Sequence, residues 1–186
     1  MSSGFLDCLS AIPHHKRRLA KGTQLFECAD PVRYVYGVDA GEIRLVRRSE
    51  DGREFVLQRA TAGSVLAEAS VMNEGYHCAA VATVDSTVSV WPIGAVRSVI
   101  QSDPKAVQAF ASLLADEVRN ARLRAEILSL RKVSERLDAW LVWNGDKMPE
   151  KGNWHRVAQE INVSHEALYR ELSRRRFRGL GEIDTP

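Results

Sequence analysis

Arginines concentrate near the C-terminal end of the sequence, at Arg170, Arg174, Arg175, Arg176 and Arg178. Glu171 is the one carboxylate within that stretch. Guanidinium groups bind phosphate oxygens, and such contacts give an affinity for nucleic acid that is independent of base sequence and weakens with salt. The whole chain carries a net charge of only +2, so this cluster, rather than the overall charge, indicates a nucleic-acid partner.

The residues around the start of this cluster have the chemistry to read bases. Arginine pairs with guanine O6 and N7, and glutamate accepts from cytosine N4. Glu166 and Arg170 are four residues apart on one helical face and form a chemically suitable reading pair. An ion pair between the same side chains on a solvated face explains the spacing equally well. The predicted DNA-contacting residues are Ser164, His165, Glu166, Tyr169, Arg170 and Arg174.

A helix-turn-helix must position these side chains. Residues 154–161 predict a short helix with an apolar inner face, residues 162–164 break it, and Ser164 begins a second helix as its N-cap. Two short helices around a tight turn place the N-terminal half of the second helix in the major groove of DNA.

A single long helix is predicted over residues 103–144, because Asp103 and Pro104 suit a helix start and no further Pro or Gly occurs before Gly145. At about 1.5 Å per residue it would be roughly 60 Å long, so we expect part of it to pair with a second copy of the chain. Packing on its own domain is the alternative. The predicted dimer seam comprises Leu113, Asn120, Leu123, Ile127, Leu130 and Leu137.

Residues 20–100 contain short alternating runs separated by turn residues. Asp51-Gly52, between the runs 43–47 and 54–59, indicates a hairpin, because glycine accepts the positive φ of a tight turn. Further strands are predicted over residues 32–38, 79–83 and 87–91. Together these patterns predict an α+β protein: an antiparallel sandwich or β-roll, a long dimerisation helix and a small helix-turn-helix domain.

The composition excludes several classes of protein. Of the 186 residues, 45% are hydrophobic and 27% are charged, which is typical of a globular protein with a real core. The apolar runs are far shorter than the ~20 residues that span a bilayer, and no signal-peptide pattern opens the chain, so we expect a cytoplasmic protein. Three widely spaced cysteines do not form a disulfide framework.

The order of roll, long helix and helix-turn-helix resembles the Crp/Fnr family of bacterial transcription regulators. Residues 156–172 resemble that family's DNA-recognition unit, with Ser164, Glu166 and Arg170 on its phosphate- and base-contacting positions. Residues 66–70 lie where members that bind cyclic nucleotides carry their phosphate cassette. Gly41, Gly52, Gly63 and Gly75 resemble the turn glycines of the roll. The resemblance covers about residues 21–180 and implies an antiparallel β-roll of cupin-like or cyclic-nucleotide-binding-like type.

The departures from the family pattern concern the effector and the C-terminal end. Cys78-Ala79 replaces the Arg-Ser pair that grips the cyclic phosphate, so we expect poor binding of cyclic AMP and cyclic GMP. Arg175 stands where the family usually buries leucine, and the chain ends at Pro186, which predicts a missing or very short wing. The effector pocket implied by the resemblance contains Glu68, Ser70 and Arg122, with Arg53 as another candidate cation.

The family's topology implies that the turn carrying Cys28 and the loop carrying His77 and Cys78 are neighbours. Two thiolates and an imidazole suit Cu(I) or another soft metal, and the two cysteines alone suit a redox switch. Haem bound through His77 or Cys78 is a lesser alternative, and each cysteine taken singly is most simply a small buried hydrophobic residue.

We therefore expect a homodimeric DNA-binding transcription regulator that is not an enzyme and that contacts RNA polymerase if it is an activator. The predicted domains are a sensor roll over residues 1–102, a dimerisation helix over 103–144 and a helix-turn-helix domain over 145–186. One alternative is a protein-interaction or oligomerisation module with impaired DNA binding. Another is a cupin-like metalloenzyme, although His77 is the only histidine between Lys21 and Ile100.

Overall fold

The computed structural model describes residues 3–52 and 54–180, with side chains described for residues 4–52 and 54–175. The chain divides into two compact units, Met1–Asp116 and Glu117–Pro186. This boundary lies inside the segment predicted as a separate dimerisation helix. Within the described residues, none of the helices has the length and apolar character needed to cross a membrane.

The first unit is built on two four-stranded antiparallel sheets, which confirms the predicted roll. One sheet has the order β1 (His15–Leu19), β8 (Ser86–Pro92), β3 (Tyr34–Ala40) and β6 (Val65–Leu66). The other has the order β2 (Gln24–Phe26), β7 (Ala79–Ala82), β4 (Glu42–Arg48) and β5 (Glu54–Thr61). The predicted Asp51-Gly52 hairpin joins β4 to β5, with Gly52 at φ +81°.

Gly41 is required by the close approach of two parts of the roll. Its φ is +89°, and a Cβ there would meet the Asp85 carbonyl oxygen at 2.6 Å and collide with Ser86. An L side chain would therefore be excluded by both the backbone conformation and the available space.

Two hydrophobic clusters stabilise this unit. The first fills the roll and includes Phe26 and Tyr76, whose rings stack at a centroid distance of 4.0 Å. The second packs the helices α1 (Ser3–Ser10) and α2 (Ile93–Ser102) and the first part of α3 (Pro104–Ser129) against the sheet. In this cluster Phe5 contacts Phe110 at a centroid distance of 5.1 Å.

The prediction of one helix to residue 144 is wrong, because α3 ends at Ser129 and α4 begins at Val133. The start of α4 is stabilised by the Glu135 carboxylate, which accepts the Lys132 backbone N–H at 3.3 Å. A helix N-terminus formed in this way competes with continuation of α3. Sequence periodicity alone gave no sign of this competition, since no Pro or Gly marks residues 130–132.

The six residues of the predicted dimer seam differ in their burial within a single copy of the chain. Leu113 is buried in the second cluster of the first unit, and Ile127 and Leu137 are buried in the core of the second unit. Asn120 and Leu130 are half-buried, and Leu123 is 37% exposed. Three of the six residues therefore belong to intramolecular cores.

The second unit contains α4 (Val133–Trp143), α5 (Trp154–Glu160) and α6 (His165–Leu180). Its core consists of Ile127, Leu137, Trp140, Val157, Ala158, Ile161 and Leu168. These include the inward positions predicted for the helix-turn-helix. The predicted absence of a full wing concerns residues 181–186, which lie outside the described residues.

Candidate nucleic-acid interface

The turn between α5 and α6 is closed by backbone hydrogen bonds. Val163 donates its N–H to the Ala158 carbonyl at 2.8 Å, and Asn162 donates to the Gln159 carbonyl at 3.2 Å. Asn162 adopts φ +52°, the left-handed conformation that ends many helices in this pattern. This Schellman-type ending lets α6 begin only a few residues after α5 ends.

Ser164 caps α6, as predicted. Its hydroxyl oxygen accepts the Ala167 N–H at 3.2 Å, which satisfies one of the unpaired donors of the first turn. Hydrogen bonds from the Glu166 backbone N–H and the Ser164 hydroxyl hold the pKa of the Glu166 carboxyl below its ordinary value. Glu166 is therefore a charged acceptor at the start of α6.

The predicted reading residues lie on the outer face of α6. His165, Glu166 and Arg170 are exposed, and Tyr169 is 40% exposed. Tyr169 packs against Trp154 of α5 at a ring-centroid distance of 5.2 Å, which restricts the side chain. The first two turns of α6 thus present hydroxyl, imidazole, carboxylate and guanidinium groups outward while Leu168 faces the core.

The arginines of α6 have different roles. Arg174 forms an ion pair with Glu171 at 2.6 Å but keeps 54% of its side chain exposed. Arg175 instead contacts Asp138 of α4 at 2.6 Å and donates to the Ser134 carbonyl at 3.1 Å. It therefore stabilises the fold rather than adding to the outward-facing charge. The side chains of Arg176 and Arg178 lie outside the described residues.

Burial would raise the pKa of Glu171, which is only 8% exposed. Hydrogen bonds from Arg175 and Arg174 outweigh that effect and hold the pKa below its ordinary value. The cluster thus contains a buried, ionised carboxylate between two guanidinium groups.

Two side chains near this surface were not predicted from the sequence. His155 of α5 lies close to His165, with ring centroids 6.2 Å apart, and its Nδ1 contacts the Gly152 carbonyl at 2.9 Å. Arg136 of α4 donates to the carbonyls of Ile161 and Asn162 in the turn. No sequence spacing signalled either contact, because both depend on how the three helices pack.

The predicted effector residues Glu68 and Ser70 belong to a single 3-10 turn, Glu68–Ser70, and both are buried. Ser70 Oγ lies 3.1 Å from His77 Nδ1, and Arg47 donates to the His77 carbonyl at 3.2 Å. Burial, followed by the nearby Arg47 charge, lowers the pKa of His77. Arg122 is an exposed residue of α3 within the second unit, and its predicted role is not tested by the fold.

The predicted soft-metal site at Cys28, His77 and Cys78 stays a prediction. Within residues 3–52 and 54–180, no three His, Cys, Asp or Glu side chains form a cluster that could hold a metal ion. Cys28 is exposed whereas Cys78 is buried. Burial, with the charges of Glu68 and Cys28, raises the pKa of Cys78 to about 11, so this thiol is protonated at neutral pH. The redox alternative for the two cysteines stays a prediction.

Comparison with known proteins identifies the roll independently. Residues 16–103 match the family described as Cyclic nucleotide-binding domain. The Fumarate and nitrate reduction regulatory protein of Vibrio cholerae is 25% identical over 147 residues, which cover 79% of this chain and 59% of that protein. The Cyclic AMP receptor protein of Thermus thermophilus is 30% identical over 129 residues, 68% of this chain and 60% of that protein.

The fold also matches that of a solved structure. The structure of FixK2 from Bradyrhizobium japonicum superposes with a TM-score of 0.76 at 20% identity and covers 90% of this chain and 87% of that one. The chain spans between half and about six tenths of the length of the curated relatives that it matches. Residues 16–103 thus form a cyclic nucleotide-binding domain, and the chain is similar in sequence and fold to regulators of the Crp/Fnr family.

Proposed function

We propose that this protein is a homodimeric transcription regulator that binds a specific DNA site through α6. The single observation that carries the proposal is the construction of the α5–α6 turn. Backbone hydrogen bonds fix the turn, Ser164 caps the next helix, and an exposed polar row follows at once. Side chains at the start of such a second helix reach base edges in the major groove.

Different side chains would contribute affinity and specificity. Arg170 is exposed near the start of α6 and can form a bidentate pair with guanine. Arg174 lies one turn further along α6, beside Glu171. At that position a contact to a phosphate is more suitable than a contact to a base edge. His165, at the N-terminus of α6, can donate to a phosphate that the helix dipole also favours.

Dimerisation would use a stripe of α3 that differs from the predicted seam. The stripe lies on one heptad face, with alternating spacings of four and three residues, and it comprises Val107, Ala111, Leu114, Val118, Ala121, Ala125 and Leu128. Val107, Val118 and Leu128 are 46%, 48% and 42% exposed, and the three alanines are also exposed. Apolar residues repeated every 3.5 positions on an open face fit a second α3 in a coiled coil.

The sensor unit would respond to an effector other than ordinary cyclic AMP or cyclic GMP. Cys78, at the position of the family's phosphate-binding arginine, is buried and uncharged. A cyclic phosphate placed there would lose its hydration without gaining a charge-assisted hydrogen bond. The buried carboxylate of Glu68 lies close enough to Cys78 to contribute to the raised pKa of that thiol, and it would repel a phosphate placed there.

Selection from a random duplex library, followed by titration of the enriched sequence at several salt concentrations, tests the proposed function. We expect an enriched palindrome whose half-sites lie about one helical turn apart, and a steep loss of affinity with salt. A stable dimer that enriches no sequence and shows no salt-dependent binding would contradict the proposal. That outcome would support the alternative of a protein-interaction or oligomerisation module.

A further inference from the structure

The Arg136 guanidinium joins two helix endings of the second unit. Its Nε donates to the Leu130 carbonyl at 2.8 Å, and its Nη2 donates to the Leu128 carbonyl at 3.2 Å. Its Nη1 donates to the carbonyls of Ile161 and Asn162 at 3.0 and 3.1 Å. One planar group therefore binds the C-terminal end of α3 and the C-terminal end of α5.

The chemistry of this contact is specific to arginine. The last carbonyls of a helix lack intrahelical partners and carry the negative end of the helix dipole, so two such ends attract one cation. Only a guanidinium has donors spread over a rigid fork that can face two sets of carbonyls at once. A lysine ammonium at this position has the charge but not the span.

The contact reaches the reading surface over a short length of chain. Asn162 is two residues from Ser164, which caps α6 and begins the exposed row. Arg136 itself lies on α4, directly after the break at residues 130–132. The end of α3, the start of α4 and the helix-turn-helix turn are thus held by a single side chain.

We propose that Arg136 is a positioning residue that couples the end of α3 to the DNA-reading helix. The inference rests on the proposed function. If paired α3 helices set the geometry of the dimer, Arg136 transmits that geometry to both copies of α6 and so fixes the distance between half-sites. Removing it would loosen the spacing between the two readers while leaving each reader's own contacts in place.

The test compares Arg136→Gln and Arg136→Lys with Arg131→Gln, which removes an exposed charge from the same break. Each folded dimer is titrated with its selected site and with sites whose half-site spacing is changed by one or two base pairs. Wild type and Arg131→Gln should discriminate strongly between spacings. In both Arg136 variants, the ratio of the affinity for the selected spacing to the affinity for an altered spacing should fall about tenfold, which equals about 1.4 kcal/mol. An equal loss of affinity at every spacing, or no change, would overturn the proposal.

Amide hydrogen exchange tests the coupling between the two helix endings without DNA. In Arg136→Gln we expect faster exchange both at the Leu130 N–H, which binds the Ile127 carbonyl, and at the Val163 N–H, which binds the Ala158 carbonyl. Faster exchange at one site alone would show that Arg136 does not couple the two. If wild type selects no DNA sequence, the proposed function fails, and this measurement still decides whether the two helix endings are coupled.

Discussion

The Arg175 guanidinium lies 2.6 Å from the Asp138 carboxylate and thereby joins α6 to α4. The same group donates to Glu171 at 2.9 Å, and Glu171 is buried between Arg174 and Arg175. These contacts form an ion-pair network within the second unit, between α4 and α6.

The network predicts acid sensitivity of the fold. The pKa of Glu171 is lower in the folded state than in the unfolded state, where it is about 4.3. The ionised carboxylate therefore makes its full contribution to the free energy of unfolding above about pH 4.3, and that contribution is lost as the pH falls through the lower folded pKa. Glu171→Gln should cost about 1–3 kcal/mol at pH 7 and show a smaller further loss on acidification. Denaturant unfolding at pH 7, 5, 4 and 3 measures this. Glu126→Gln, at an exposed position, is the matched control and should follow wild type.

The two cysteines of the roll should react at very different rates. With a pKa of about 11, Cys78 is thiolate in only about one molecule per thousand at pH 8, and it is also buried. Cys28 is exposed and should be alkylated first. Timed labelling followed by peptide mass spectrometry measures both rates. Equal rates in the native protein would contradict the burial of Cys78, whereas denaturation should equalise them.

Base reading by Arg170 should be separable from phosphate binding by Arg174. Arg170→Ala should cost about 1–3 kcal/mol on the selected site and relax the preference at one base pair, with little effect on random DNA. Arg174→Ala should weaken binding to all sequences and reduce the salt slope by about one. Titrations on specific and random duplexes distinguish the two. Equal losses on both duplexes for Arg170→Ala would make Arg170 a phosphate contact.

Association should depend on the exposed stripe of α3. Val118→Asp places a charge in the proposed coiled-coil interface and should yield monomers. Leu123→Asp is the matched control, because Leu123 is similarly exposed but lies on the opposite face of the heptad. Sedimentation equilibrium at several concentrations measures the result. A monomeric Leu123→Asp with a dimeric Val118→Asp would restore the frame first predicted from the sequence.

Cyclic nucleotides should bind weakly or not at all. The resemblance to the Crp/Fnr family implies a phosphate-binding arginine at position 78, and this chain has Cys78 there. Isothermal calorimetry with cyclic AMP and cyclic GMP is the measurement. Micromolar binding would contradict the expectation. Arg47→Ala would then test whether Arg47, which contacts the cassette loop at His77, supplies the missing cation.

Local signals in the sequence predicted local structure well. The Asp51-Gly52 hairpin and the Ser164 cap are determined by the residues that form them, and both occur as expected. Strands β2 and β6 have three and two residues, too few to show alternation. Strand β1 is exposed at four of five positions and carries no inward-outward pattern either. These strands exist because the roll supplies their partners.

Long-range packing is where the sequence was insufficient. Helix α3 contains two apolar heptad frames, and periodicity could not tell which one faces the protein's own core. Leu113 is buried in the cluster that contains residues of α1, and Ile127 is buried in the core of the helix-turn-helix. Which frame faces inward therefore depends on these distant segments. The contacts that Arg136 and Arg175 make with other helices could not be predicted for the same reason, since those partners lie 25 to 41 residues away in the chain.

The open edge of strand β1 bears on how the protein behaves at high concentration. Within the described sheets it pairs only with β8, so its other side is an open edge of the kind that recruits strands from neighbouring molecules. Lys16, Arg17 and Arg18 are exposed along that edge. Because like charges on two such edges repel each other, they guard the roll against edge-to-edge aggregation at high protein concentration.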